Sequence, residues 1–168
     1  MTIARINNLT KEDFANTFGG VYEHSPWVAE RAWASTPFSS LEDLASKMNA
    51  VVDAASEEEQ LALLCAHPEL GTRLKVSASS ASEQAGAGLD ELHDTLQPLN
   101  ESWRKKFGFP FIYAVKGSGK ADILVALLVR IDTDRETEFK QALWEVSRIA
   151  RFRLEGIVEE DTQRQDML

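Results

Sequence analysis

The chain has 168 residues, one cysteine and a formal net charge of −9, which allows one domain with a proper core, excludes an internal disulfide framework and repels polyphosphate. No run of about 18 apolar residues occurs, so no membrane-spanning segment is expected, and Met1–Asn8 lacks the apolar core of a secretion signal. Nucleic acid, membrane and the secreted disulfide class are therefore set aside, and the single Cys65 fits a reducing cytoplasm.

The apolar periodicity is helical nearly throughout. Thr10-Lys-Glu-Asp13 opens a short helix through Phe14 and Phe18, stopped by Gly19-Gly20. Ser25-Pro26-Trp27 reads as an N-cap and a proline at the first helical position, leading through Ala29, Ala32 and Trp33 until Pro37 breaks it. Ser40 begins the next helix, which carries Leu41, Leu44, Met48, Val51, Val52 and Ala55. Ser56-Glu-Glu-Glu59 is a capping box, and its helix runs through Leu61, Leu64 and Cys65 to an end near His67-Pro68.

The small, polar stretch Val76–Ser82 reads as a loop, after which Ser80-x-x-Glu83 restarts a helix carrying Ala85-Gly-Ala-Gly88, Leu89, Leu92 and Leu96. Asn100–Lys106 is a further amphipathic stretch, ended by Gly108 and Pro110, and Phe109–Val115 is extended. Gly117-Ser-Gly119 makes a turn into a helix over Lys120–Arg130, with Ile123, Leu124, Leu127, Leu128 and Ile131 inside. Asp132–Arg135 is a polar break before the last and longest helix, about Glu136 to Glu159. With no internal repeat and no linker, the expected fold is all-α. It is a single domain over residues 1–168, a helical bundle of about seven to nine helices with one short extended segment near 109–115.

His67 is one of three histidines and precedes Pro68, which disfavours the α conformation in the residue before it. It therefore sits at a helix boundary, with Ser80 and Glu83 thirteen and sixteen residues downstream. Whether His67 closes the preceding helix or caps the following one is open, and with it the sign of the helix dipole at its ring. Glu83 reads either as the partner of Ser80 in a capping box or as a carboxylate for acid–base chemistry. Two glycines in the helix behind it cost about 1 kcal/mol each relative to alanine, so another backbone or a ligand comes close there.

In the last helix Phe139, Leu143, Val146, Ala150 and Ile157 share a face, and Arg153 falls on that stripe. Arg153 is then either a structural ion pair or a fork of donors for a planar anion. Gly117-Ser-Gly-Lys120 resembles the tail of a phosphate-binding loop, but Ala114 stands where the first glycine is needed and Ala121 where Ser or Thr is needed. Cys65, His67, Glu69 and Glu83 do not make a metal-ligand set at workable spacing, so no metal is expected. His24 and His93 are assigned no role.

Taken together, His67-Pro-Glu-Leu-Gly, Ser80-x-x-Glu83-Gln84-x-x-Ala87-Gly88-Leu89, Asn100, Phe107-Gly-Phe-Pro-Phe-Ile112 and Ile149-Ala-x-x-Arg153-Leu154 resemble the OHCU decarboxylase family. OHCU is 2-oxo-4-hydroxy-4-carboxy-5-ureidoimidazoline. The resemblance implies a cytoplasmic lyase that converts OHCU to (S)-allantoin in urate degradation, as an all-α homodimer without metal or organic cofactor. It implies His67 and Glu83 as the catalytic pair and Pro68 beside the substrate. Ser80, Ala81, Ser82, Glu83 and Gln84 match one substrate-binding segment. Phe111, Ile112, Tyr113, Ala114 and Val115 match a second, whose backbone contacts the ring, and Arg153 matches the site arginine. Two other readings stand beside this one: a non-catalytic acidic helical binding module, in which Arg153 is a core ion pair and His67 a cap, and a decarboxylase of a related ureide.

Overall fold

A computed structural model of the chain describes residues 1–70 and 83–159, with only the backbone over 83–93. Among those residues there are eight α-helices and no strand. They are α1 (Ile3–Ile6), α2 (Lys11–Phe18), α3 (Trp27–Ala32), α4 (Leu41–Ala54), α5 (Glu57–Ala66), α6 (Glu83–Phe107), α7 (Lys120–Arg130) and α8 (Arg135–Ile157), with a 3₁₀ turn at Trp33–Ser35. The fold is all-α, as the periodicity predicts.

Short polar caps start most of these helices. Thr2, Thr10 and Ser40 each accept an amide three residues on, which satisfies one of the orphan donors of the first turn. Ser56 accepts the Glu59 amide at 3.1 Å. The reciprocal half of that capping box does not form, because the Glu59 carboxylate pairs with Arg31 at 2.6 Å instead. Ser25 does not cap α3 either: its hydroxyl donates to the Glu23 carbonyl at 2.8 Å, and Pro26 holds the N-cap position. Asp122 reaches back to the Gly119 amide at the start of α7.

The chain divides into two compact units, residues 1–63 with 147 onward, and residues 64–146. In the first unit α3 packs against α2 and α4. Its core holds Ile6, Phe14, Phe18, Val28, Phe38, Leu44 and Met48, all at most 2% exposed, with Phe14 against Phe18 at 4.7 Å and Phe38 at 5.7 Å between ring centroids. In the second unit an aromatic chain runs Phe111, Trp103, Phe107, Phe109 and Phe139, each ring 4.6–5.9 Å from the next. Burying aromatic area on this scale dominates core energetics.

Three helices depart from expectation. The stretches starting at Glu83 and at Asn100 are one 25-residue helix, α6, with Pro98 inside it, so α6 and not α8 is the longest. Segment 110–115 is non-helical but joins no ladder, since a lone extended run without a partner strand is not a sheet. It ends at a turn in which the Ser118 amide donates to the Val115 carbonyl at 2.9 Å and Gly117 takes a φ of +83°, a conformation glycine adopts without steric cost. On α7, Ile123 and Leu127 are buried, but Leu128 is 55% exposed. On α8 the buried face runs Phe139, Ala142, Val146, Ile149, Ala150 and Leu154, so Leu143 and Ile157 lie at its margin.

Candidate functional site

His67 follows the last residue of α5 and is 3% exposed. Its amide donates to the Leu64 carbonyl at 3.2 Å, a tightened last turn that ends the helix before Pro68 can disrupt it. The ring therefore lies at the carbonyl end of α5, the end at which a helix dipole attracts positive charge. Pro68 is exposed. Glu83 and Gln84 are the first two residues of α6; their side chains, with Ser80, Ala81 and Ser82, lie outside the described residues.

Arg153 is half-buried, with 28% of its side chain exposed. Its guanidinium pairs with Glu23 at 2.6 Å and donates to the Val21 and Gly20 carbonyls at 3.0 and 3.3 Å. All of these partners belong to the first unit. The fork is thus held rigidly on one side by a carboxylate and two carbonyls, a geometry that pre-organises whatever donors remain.

The second predicted binding segment, 111–115, lies wholly within the described residues. Phe111, Ile112 and Ala114 are buried and Tyr113 and Val115 half-buried. The Ile112 carbonyl accepts from Arg130 Nη1 at 2.9 Å, and the Ala114 amide donates to Glu145 Oε2 at 2.8 Å. Arg130 Nε donates to Glu138 at 3.1 Å and Nη2 pairs with the other oxygen of the same carboxylate. Glu138 and Glu145 are 1% and 3% exposed. The Arg130 guanidinium also lies 4.8 Å from the Phe111 ring centroid and 5.6 Å from that of Trp103, close enough for a cation–π attraction.

Burial pushes the Glu138 carboxyl above its ordinary value, Arg130 pulls it back through hydrogen bond and charge, and Glu145 pushes it up again. Nearby on α6, Asn100 Oδ1 and Trp103 Nε1 are buried with no hydrogen-bond partner among the described residues. None of Arg130, Glu138 and Glu145 stood out in the sequence. The available signal was spacing: Glu138, Ala142, Glu145 and Ile149 fall at four- and three-residue steps on the buried face of α8.

A cavity of about 490 Å³ in the first unit is lined by Asn7, Ser39, Ser40, Glu42 and Arg151 among others. It contains none of the predicted site residues, and its cation is neutralised locally, with Arg151 3.2 Å from Glu42 and 3.5 Å from Glu155. Among the described residues no group of His, Cys, Asp and Glu is placed to hold a metal ion.

Comparison with known proteins gives a consistent result. Residues 7–155 match the model of the family described as OHCU decarboxylase. A Haloferax volcanii protein named 2-oxo-4-hydroxy-4-carboxy-5-ureidoimidazoline decarboxylase is 48% identical over 158 residues, covering 92% of this chain and 94% of its own. A Bacillus subtilis uric acid degradation bifunctional protein is also 48% identical, over 98% of this chain but only 34% of its own length. The chain thus spans about a third of that relative. Among solved structures, a crystal structure of (S)-allantoin synthase is similar with a TM-score of 0.77 at 32% identity, covering 94% of this chain and 54% of that one. A crystal structure of OHCU decarboxylase shares the fold with a TM-score of 0.64 at 23% identity, covering 80% of this chain and 92% of that one.

Proposed function

Because this chain belongs to the OHCU decarboxylase family, we propose that it decarboxylates OHCU to (S)-allantoin. The observation that carries this reading is the near-full-length identity with a protein of that name, 48% over 94% of the relative's length. The same reading makes the enzyme a cytoplasmic homodimer that needs neither metal nor organic cofactor. No helix among the described residues is long and apolar enough to cross a membrane.

The chemistry fits what these residues do. The bond between the ring carbon and the carboxylate breaks, carbon dioxide leaves, and the electron pair spreads into the imidazoline ring and its carbonyl. The enzyme must orient the carboxylate, polarise the substrate hydroxyl and return one proton to a single face. Glu83 and His67 form the acid–base pair in this reading, with His67 managing the proton at the reacting carbon. Burial of His67 supports that role, since a ring shielded from water exchanges protons with the occupant of the site rather than with bulk solvent. Arg153, held by Glu23, fixes an anionic or carbonyl edge of the substrate, and backbone groups of 111–115 read the ring or ureido amides.

His67→Asn and Glu83→Gln are each expected to abolish accelerated decay of OHCU while leaving the far-ultraviolet circular dichroism unchanged. Near-wild-type turnover by either variant would remove that residue from the catalytic pair.

A further inference from the structure

The buried Arg130–Glu138–Glu145 group is an expensive object. Three ionisable side chains, 9%, 1% and 3% exposed, have been taken out of water, and well-packed apolar residues would often serve stability as well or better. Two of its contacts with the rest of the second unit's backbone are specific: Arg130 to the Ile112 carbonyl and Glu145 to the Ala114 amide, at 2.9 and 2.8 Å. Gln141 braces Glu145 from one turn away on α8, donating to its other oxygen at 3.3 Å.

Those two backbone groups are two residues apart. In an extended chain the N–H and C=O of alternate residues point to the same edge, so contacts at 112 and 114 define one edge of the segment. The Phe111 and Tyr113 rings stack with 17° between planes at 6.1 Å, as i and i+2 side chains on one face of an extended run do. The backbone N–H and C=O of Tyr113 then face the opposite edge, a donor and an acceptor side by side. That pair is complementary to the acceptor and donor of an amide or ureide edge.

We propose that Arg130 and Glu145 are positioning residues for the reaction: by holding the Ile112 carbonyl and the Ala114 amide, they fix the register in which Tyr113 presents its backbone N–H and C=O to the ureide edge of the substrate. The proposal rests on the reading that segment 111–115 contacts the substrate. It narrows that contact to one residue and adds two side chains that act through the backbone.

Two measurements on the full chain test it. First, (S)-allantoin is titrated into the wild-type protein while backbone amides are followed by NMR. The Tyr113 amide is expected to shift most within the segment, and the Ala114 amide, already bound by Glu145, to move little. A larger shift at Ala114 than at Tyr113 would overturn the proposed register. A segment that does not respond at all, in a preparation that still decarboxylates OHCU, would overturn it by removing the contact it depends on. Wild-type protein without activity would instead sink the decarboxylase reading itself.

Second, Glu145→Leu removes the acceptor at similar volume, whereas Glu145→Gln keeps an oxygen for the Ala114 amide. Loss of one well-placed hydrogen bond predicts a KM raised about tenfold in the leucine variant, with kcat changed less. The glutamine variant is expected to return to within about threefold of wild type. Equal KM values for a folded leucine variant and wild type would contradict the proposal. If the leucine variant does not fold, the glutamine variant and the titration decide.

Discussion

At the scale of single residues, Glu138 shows how burial becomes a measurable pH dependence. Its folded carboxyl titrates above the ordinary value, chiefly because burial penalises the charged form, with Arg130 opposing and Glu145 reinforcing the shift. A raised folded value means that the folded chain holds this proton more tightly than the unfolded one. The group's contribution to stability is therefore fully present below the unfolded value, about 4.3 for glutamate, and declines as pH rises from there through the raised folded value. Glu138→Gln is expected to flatten that decline when unfolding free energy is followed by urea titration between pH 4 and neutrality. An unchanged slope would show that Arg130 cancels the effect of burial completely. The sequence made part of this region legible and part not. His67 before Pro68 marked a boundary, and the structure puts a buried ring directly after α5. Arg153 drew attention because a cation on an apolar stripe is conspicuous, yet it lies at the margin of the buried face with Glu23 as its partner. The two glutamates at the centre of α8's buried face went unremarked, since glutamate is common on helices and only its facing cation reveals why it is inside.

At the scale of elements, helices with an oxygen-bearing cap and an undisturbed apolar period were readable to within a residue, as α2 and α4 show. Two features defeated that reasoning. The stretches starting at Glu83 and at Asn100 read as separate, and Pro98 between them removes a helical donor and crowds the turn before it, but α6 runs through it from Glu83 to Phe107, with Pro98 itself exposed. On α7 the apolar residues exceed what one face can hold, so Val125, Leu128 and Val129 are 59%, 55% and 64% exposed. Periodicity locates a helix and only weakly chooses which of several apolar residues face inward. The start of α8 was read as a polar break, and the structure gives that break a function. Asp134 accepts the Thr137 amide at 2.9 Å and the Thr137 hydroxyl at 2.7 Å. Those bonds, the backbone one first, lower the Asp134 carboxyl below its ordinary value. The stabilisation is present above the unfolded aspartate value and is lost as pH falls below about 4. Asp134→Ala is expected to lower the Tm at neutral pH and to lose the advantage of wild type in acid, so that the two melting temperatures converge. Parallel curves down to pH 2 would contradict the capping role.

At the scale of the whole molecule, composition excluded more than it identified. A net charge of −9 argues against polyphosphate partners yet says nothing against a small anion, because one oriented arginine outweighs a diffuse field at short range. Identification came from the order of several weak motifs, and a family match over residues 7–155 agrees with it. Ser80, Ala81 and Ser82 fall outside the described residues, and the proposed roles of His67, Glu83 and Arg153 are tested by the product they form. The most direct measurement generates OHCU in situ from urate and follows the optical activity of the allantoin that forms. A decarboxylase that returns its proton to one face predicts rapid accumulation of the (S) enantiomer alone. Racemic allantoin, formed at the rate seen without protein, would contradict the account.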